Sequence, residues 1–163
     1  MCWHAKLRRS RNQSHRSGCA IGITLDMLGD PWTLLVVRDL MFKGGKTFGD
    51  FLSADEGVAT NILTARLCRL KANGIVEKRR DPADARRLIY RLTGKGIDLA
   101  PAIVEIVLWA TSYEQTDAPP ELIQSMRTDK AAFLKQLRAA WQAASTGSRR
   151  GGSAVRRARR FGR

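Results

Sequence analysis

From Ile21 onward apolar residues return every three or four positions along most of the chain, and each break in that rhythm carries a start or stop signal. Ile21, Ile23, Leu25 and Leu28 run up to Gly29, and Asp30-Pro31 then supplies an N-cap followed by proline at a first helical position. This predicts a helix to about Phe42, with Trp32, Leu35, Val36 and Leu40 toward the core and Gly44-Gly45 ending it. Thr47 with Asp50 three residues later reads as a capping box, so a short helix is expected over residues 48–53, before a turn at 54–58. Another helix opens near Thr60. Its Leu63, Leu67 and Leu70 share one face, Asn61, Thr64, Ala65, Cys68, Arg69 and Ala72 point the other way, and Gly74 stands where a C-terminal glycine cap belongs.

The period then drops to that of strands. Residues 75–80 and 88–93 read as two short strands around Asp81-Pro82-Ala83-Asp84-Ala85, with Arg86-Arg87 at the exit of the loop. Thr93 is placed to cap a further helix carrying Ile97, Leu99, Ile103, Ile106, Val107, Leu108 and Trp109 as far as Tyr113, more apolar surface than one small head can cover. After Asp117-Ala118-Pro119-Pro120 a final amphipathic helix is expected over residues 121–143, through Leu122, Met126, Phe133, Leu137 and Trp141. The expected fold is mainly α with a small β-hairpin wing (α+β): a winged helix-turn-helix with flanking dimerisation helices. The chain divides into a flexible basic leader (1–18), the winged helix-turn-helix domain (19–115), a C-terminal amphipathic helix (116–144) and a disordered Arg/Gly-rich tail (145–163).

Charge sharpens this reading once it is placed along the chain. The net +14 of the 163 residues is mostly terminal: residues 1–18 hold five basic groups and residues 145–163 hold seven, with no acid in either. The remainder carries 17 basic against 15 acidic groups. Within it, residues 66–95 hold ten basic residues and only Glu77, Asp81 and Asp84 as acids, a compact basic patch of the kind that meets a polyanion.

Two short helices around a tight turn, followed by a basic hairpin, are the parts of a DNA reading head, and double-stranded DNA is the expected partner. The second helix suits the major groove, where an amide grips adenine and a guanidinium grips guanine, so Asn61 and Arg69 are the candidate base readers, with Ala65 small enough to let the helix approach closely. Thr60, Thr64, Arg79, Arg86 and Arg87 are candidate phosphate or minor-groove contacts. Arg66, beside the apolar stripe, suits either a structural salt bridge or a phosphate. The leucines are read only as core.

The run Cys19 … Leu28-Gly29-Asp30-Pro31-Trp32-Thr33-Leu34-Leu35 … Arg38-Asp39-Leu40 … Thr47-Phe48-Gly49-Asp50-Phe51 … Asn61-Ile62-Leu63-Thr64-Ala65-Arg66-Leu67 … Gly74-Ile75-Val76 … Tyr90-Arg91-Leu92-Thr93-Gly94-Lys95-Gly96 resembles HxlR-type bacterial regulators over about residues 19–110. MarR-type regulators share the wing; the early cysteine and the Gly-x-x-Trp step are more specific. The resemblance implies a homodimeric winged-helix repressor or activator, joined through the first helix and those after the wing, on a near-palindromic operator. It also makes Cys19 a candidate redox sensor, since some members sense electrophiles or oxidants at this place; the alternative is a small buried hydrophobe at the dimer contact. Cys68 would block DNA if modified, or is a tolerated small residue. Departures from the family pattern are Ala20 for a proline, Pro31 for a basic residue, Ala59 for a capping serine and Gly94 for a glutamate.

Cys2, Cys19 and Cys68 form no C-x-x-C pair and the two histidines, His4 and His15, lie in the leader, so neither a disulfide framework nor a metal site is expected. No catalytic residue is assigned, because no phosphate loop and no nucleophile with a base in a recognisable motif is present; an enzyme is not expected, and neither is a cofactor. The leader is followed by no signal-peptide apolar block, and the apolar run at 100–110 is broken by Pro101 and Glu105, short of a membrane span. A cytoplasmic protein, on the nucleoid when bound to DNA, is the expectation. The reading is a sequence-specific regulator, taken as a repressor, with a small-molecule or oxidant effector of unknown identity. The competing reading is a nonspecific nucleic-acid binder driven by the Arg-rich tails.

Overall fold

The computed structural model describes residues 18–44, 46–54, 57–81, 84 and 86–146. Within them the order is α1 (Ala20–Leu28), α2 (Pro31–Phe42), α3 (Phe48–Leu52), α4 (Thr60–Ala72), β1 (Val76–Arg80), β2 (Leu88–Leu92), α5 (Gly94–Ile97), α6 (Ala100–Tyr113), α7 (Pro120–Thr128) and α8 (Lys130–Thr146). The strands pair antiparallel, from Val76 opposite Leu92 to Arg80 opposite Leu88. This is the mainly helical winged helix-turn-helix that the periodicity predicts. The leader to residue 17 and residues 147–163 lie outside the described residues, as do Gly45, Asp55, Glu56, Pro82, Ala83 and Ala85.

Local signals formed most boundaries. Asp30 caps α2, accepting from the Trp32 and Thr33 amides at 3.1 and 3.0 Å, with Pro31 in the first turn where its missing N–H costs nothing. The same carboxylate takes the buried Thr33 hydroxyl and pairs with Arg66 of α4, Nε to Oδ1 at 3.0 Å. One residue thus starts α2, which lies at 82° to α1, and fastens α4 to the corner. Gly74, at φ 68, closes α4 in the left-handed region that suits glycine.

The core gathers Val36, Val37, Leu40 and Met41 of α2, Phe51 of α3, Leu63, Leu67 and Leu70 of α4, Ile75, Val76 and Leu92 at the wing base, and Ile97, Ala100 and Ile103 beyond it. Two of the expected α2 core residues, Trp32 and Leu35, are only half-buried. Thr33, Val37 and Met41 are buried instead, because α2 packs against β2 and α8 as well as α4.

Three other expectations change. The single helix after Thr93 is two, α5 and α6, joined through Asp98 and Leu99; Pro101 falls in the first turn of α6, where no amide is required of it. The single C-terminal helix is also two. Asp129 leaves helical geometry at φ −145 and caps α8 by accepting from the Ala132 amide at 2.8 Å, and α8 continues through Thr146, past the expected boundary at 144. Third, the 20 residues Gly94–Tyr113 contain an 18-residue window of mean hydropathy 1.2, long and apolar enough for a membrane span by length and composition, where the sequence reading expects a run too short. Its Ile97, Ala100, Ile103 and Val104 are nevertheless in this domain's own core.

Because Asp30 serves as both cap and ion-pair partner, Asp30→Ala should lower unfolding stability by about 2 kcal/mol, read from the urea midpoint, while Asp30→Asn, which keeps a capping oxygen, should cost about half of that or less.

Candidate nucleic-acid interface

The reading head begins at a short third strand partner. Lys46 bridges Tyr90 of β2 through both backbone bonds, Lys46 N–H to Tyr90 O at 3.1 Å and Tyr90 N–H to Lys46 O at 2.7 Å. The entry to α3 is therefore tied to the wing. Thr47 and Asp50 form the expected capping box: Thr47 Oγ1 accepts from the Asp50 amide at 3.2 Å, and Asp50 Oδ2 accepts from the Thr47 amide at 2.7 Å. The Thr47 backbone bond holds the Asp50 carboxyl below its ordinary range, against an opposing push from burial.

After the turn, with Gly57 at φ 63, α4 starts at Ala59, which offers no side-chain cap. Its first turn carries no acid, and among the described residues no side chain caps its first amides. Thr60, Asn61 and Ala65 are exposed. Thr64 is half-buried and its hydroxyl donates back to the Thr60 carbonyl at 2.8 Å. Arg69 sits two turns further on, about 12 Å along the axis from Asn61, and its guanidinium donates to the Asp26 carbonyl of α1. It is exposed one helical turn beyond Ala65, with its guanidinium engaged on α1. Arg66, left open between two roles, takes the structural one: its Nε is buried and lies 3.0 Å from Asp30, without the angle of a hydrogen bond.

The wing places its arginines unequally. Arg79 is exposed but pairs along its own strand with Glu77 at 2.7 Å. Arg86 and Arg87 lie exposed at the tip, where the Arg86 amide donates to Asp84 Oδ1 at 3.0 Å and Arg87 bonds by its backbone to Asp81 and Asp84. Lys78, absent from the sequence-based set, sits 5.3 Å over the Tyr90 ring. The wing base is locked by Thr93, whose hydroxyl donates to the Gly74 carbonyl at 2.6 Å, and by Gly96, where a Cβ would come within 2.3 Å of the Ile75 carbonyl. Lys95 is spent on the Asn73 carbonyl at 2.9 Å. Among the cations of the patch, Arg66, Arg69, Arg79 and Lys95 are held by internal acceptors, which charge counting does not reveal.

Away from the head, α1 and α6 leave a broad apolar surface. Ile21 and Leu25 on α1, and Ile106, Trp109 and Tyr113 on α6, are at least half exposed; Trp109 and Tyr113 stack at 5.6 Å. A cleft of about 400 Å³ runs between the helices past Leu25, Leu28, Ile103 and Ile106. Cys19 occupies the N-cap of α1 and is exposed in the single chain. Backbone hydrogen bonds from Gly22 and then Ile21 pull its thiol below the ordinary range. Among the described residues no group of three or more His, Cys, Asp or Glu could hold a metal.

The family described as HxlR-like helix-turn-helix matches residues 27–118. A relative from Mycobacterium bovis, the HTH-type transcriptional regulator Mb3122, itself uncharacterized, is 36% identical over 109 residues, 66% of this chain and 68% of that one. Among solved structures, the transcription factor candidate PA1607 superposes with a TM-score of 0.57 at 34% identity, over 66% of this chain and 74% of its own. The oxidized redox regulator HypR superposes with a TM-score of 0.52 at 27% identity, over 60% of this chain and the whole of its own.

A lowered thiol pKa at an exposed helix N-terminus has a direct readout. In a Cys2→Ser, Cys68→Ser variant, the iodoacetamide rate of Cys19 should titrate with an apparent pKa below that of a free cysteine, and a curve at the free-cysteine position would remove the assignment.

Proposed function

Because this chain belongs to the HxlR-like helix-turn-helix family of transcriptional regulators, with that family's DNA-binding domain, we propose that it acts as a homodimeric repressor on a near-palindromic operator. The observation that carries the proposal is the start of α4, acid-free in its first turn and uncapped among the described residues, with Asn61 and Ala65 exposed, beside a wing whose tip offers Arg86 and Arg87. In the groove, Asn61 reads a base edge and Ala65 permits close approach, while the first-turn amides, Thr60, Thr64 and the wing arginines hold phosphates. Arg79 joins them by exchanging Glu77 for phosphate. Arg69 reads a base only by leaving the Asp26 carbonyl, so its first role is to set the pitch of α4.

The uncovered faces of α1 and α6 support dimerisation, since two copies that bury Ile21, Leu25, Ile106, Trp109 and Tyr113 against each other would fix the spacing of two heads. The working unit is the winged domain of residues 19–115, acting in the cytoplasm where its DNA is. Its business is occupancy of a site rather than turnover. Cys19, on the helix that forms this contact, is the proposed point where an oxidant or electrophile acts; a redox-regulator neighbour supports the same reading.

Selection from a random duplex pool should return one palindromic site. On it, Asn61→Ala should cost about 1–3 kcal/mol and relax preference at one base pair, whereas Arg86→Ala should weaken all duplexes about equally. Arg69→Ala should lower stability more than it changes base preference, and the reverse outcome would make Arg69 a reader. The pair Ile106→Glu with Trp109→Glu should sediment as a monomer at micromolar concentration and lose operator affinity by at least about tenfold; an unchanged dimer would move the interface elsewhere.

A further inference from the structure

The first half of α6 belongs to the core through Ala100, Ile103 and Val104, but beyond Val104 no residue of the helix is buried. Ile106, Trp109 and Tyr113, the face proposed to meet a second copy, stand on that outer half. The path from head to face is also interrupted. At Asp98-Leu99 the Leu99 amide bonds to the Gly96 carbonyl at 3.2 Å, a tighter turn of the kind at which helices flex. The C-terminal pair α7 and α8, beyond the segment matched by the family, spans this interruption. On its outer side Arg127 donates to Ser112 Oγ at 3.2 Å, and Lys130 pairs with Glu105. On the head side Arg138 pairs with Asp98 at the interruption itself, and the Trp141 indole donates to the Leu92 carbonyl at the wing base at 3.0 Å. Met126 of α7 is buried, and Leu134, Leu137 and Trp141 of α8 pack on the core.

We propose that α7 and α8 form a strut that fixes the angle between the reading head and α6, with Arg138 and Trp141 as positioning residues that set the half-site spacing two heads accept. The inference rests on the homodimer reading of α1 and α6. Leverage makes a small angle matter. The 14 residues of α6 span about 21 Å, so a tilt of about 5° at the interruption moves the far end by about 2 Å. Twofold symmetry doubles that shift to about 4 Å, comparable to the roughly 3.4 Å advance per base pair. A helix pair that only filled the core of the head would have no use for Arg127 and Lys130, whose partners Ser112 and Glu105 lie beyond the last buried residue of α6. Exposed ion pairs add little stability, so Lys130–Glu105 and Arg138–Asp98 set the register of the strut, while the half-buried Trp141 and the apolar side chains near it supply the hold.

The test compares the full chain with its Arg138→Ala, Trp141→Ala variant on three kinds of duplex: the selected palindrome, palindromes with one or two base pairs added or removed at the centre, and a single half-site. The full chain should lose at least about tenfold in affinity on each respaced palindrome and the variant less than about threefold. Both should bind the single half-site within about twofold of each other and sediment as dimers. An unchanged spacing penalty in the variant would overturn the proposal. So would an equal loss on half-site and palindrome alike, the mark of a helix that only supports the head. Trp141→Phe keeps an aromatic ring and loses the indole donor, which covers the case of a double variant that does not fold. Its spacing penalty should fall below that of the full chain, and a penalty equal to the full chain's would sink the strut. A full chain that sediments as a monomer on and off DNA would instead bring down the homodimer reading, and this inference with it.

Discussion

The carboxylate of Asp30 holds the corner on which the rest of the domain is hung. It accepts from two amides of the α2 first turn and from the Thr33 hydroxyl, and it faces the Arg66 guanidinium of α4. A helix start needs acceptors for its orphan amides, and a long helix crossing over it needs an angular reference. Here one residue supplies both. Arg69, donating to the Asp26 carbonyl, gives α4 a second attachment, to α1. Two arginines of the helix proposed to read DNA thus have the task of pointing it, and Leu63, Leu67 and Leu70 on its buried face hold it in place once pointed.

That division reshapes the electrostatic picture. A basic patch in a sequence suggests a polyanion, yet a cation bonded to a carbonyl or carboxylate must give up that partner before it can meet phosphate. Arg66, Arg69, Arg79 and Lys95 have such partners, and the arginines at the tip of the hairpin, Arg86 and Arg87, are held by backbone bonds to Asp81 and Asp84. The patch is a stiff reading head with a small basic prow, and its large formal charge is mostly elsewhere, in the segments at either end of the chain.

The apolar surface has a similar double character. Gly94–Tyr113 is apolar around most of its circumference; one side closes the core through Ile97, Ala100, Ile103 and Val104, and the other stands open at Ile106, Trp109 and Tyr113. Beside it, α1 presents Ile21 and Leu25, with Cys19 at its exposed N-terminus, where backbone amides favour the thiolate. Any chemistry at that sulfur would therefore act on the helix that flanks the open face, not on the reading head directly.

What the sequence determined by itself was what adjacent residues decide among themselves. Asp30-Pro31, the Thr47–Asp50 box, Thr93 and Gly74 each satisfy or release backbone groups within a few residues, so helix ends could be placed from composition alone, as could the leucine face of α4 and the basic hairpin. The helix breaks at Asp98-Leu99 and at Asp129 were not legible, because the apolar period continues unbroken across both. Nor was the choice between scaffold and ligand for each arginine. Arg69 and its carbonyl are 43 positions apart, and Trp141 lies 49 from the carbonyl it serves. Only the folded chain brings such groups to hydrogen-bonding distance, and the energy of a cation depends on what stands beside it, not on where it falls in the sequence.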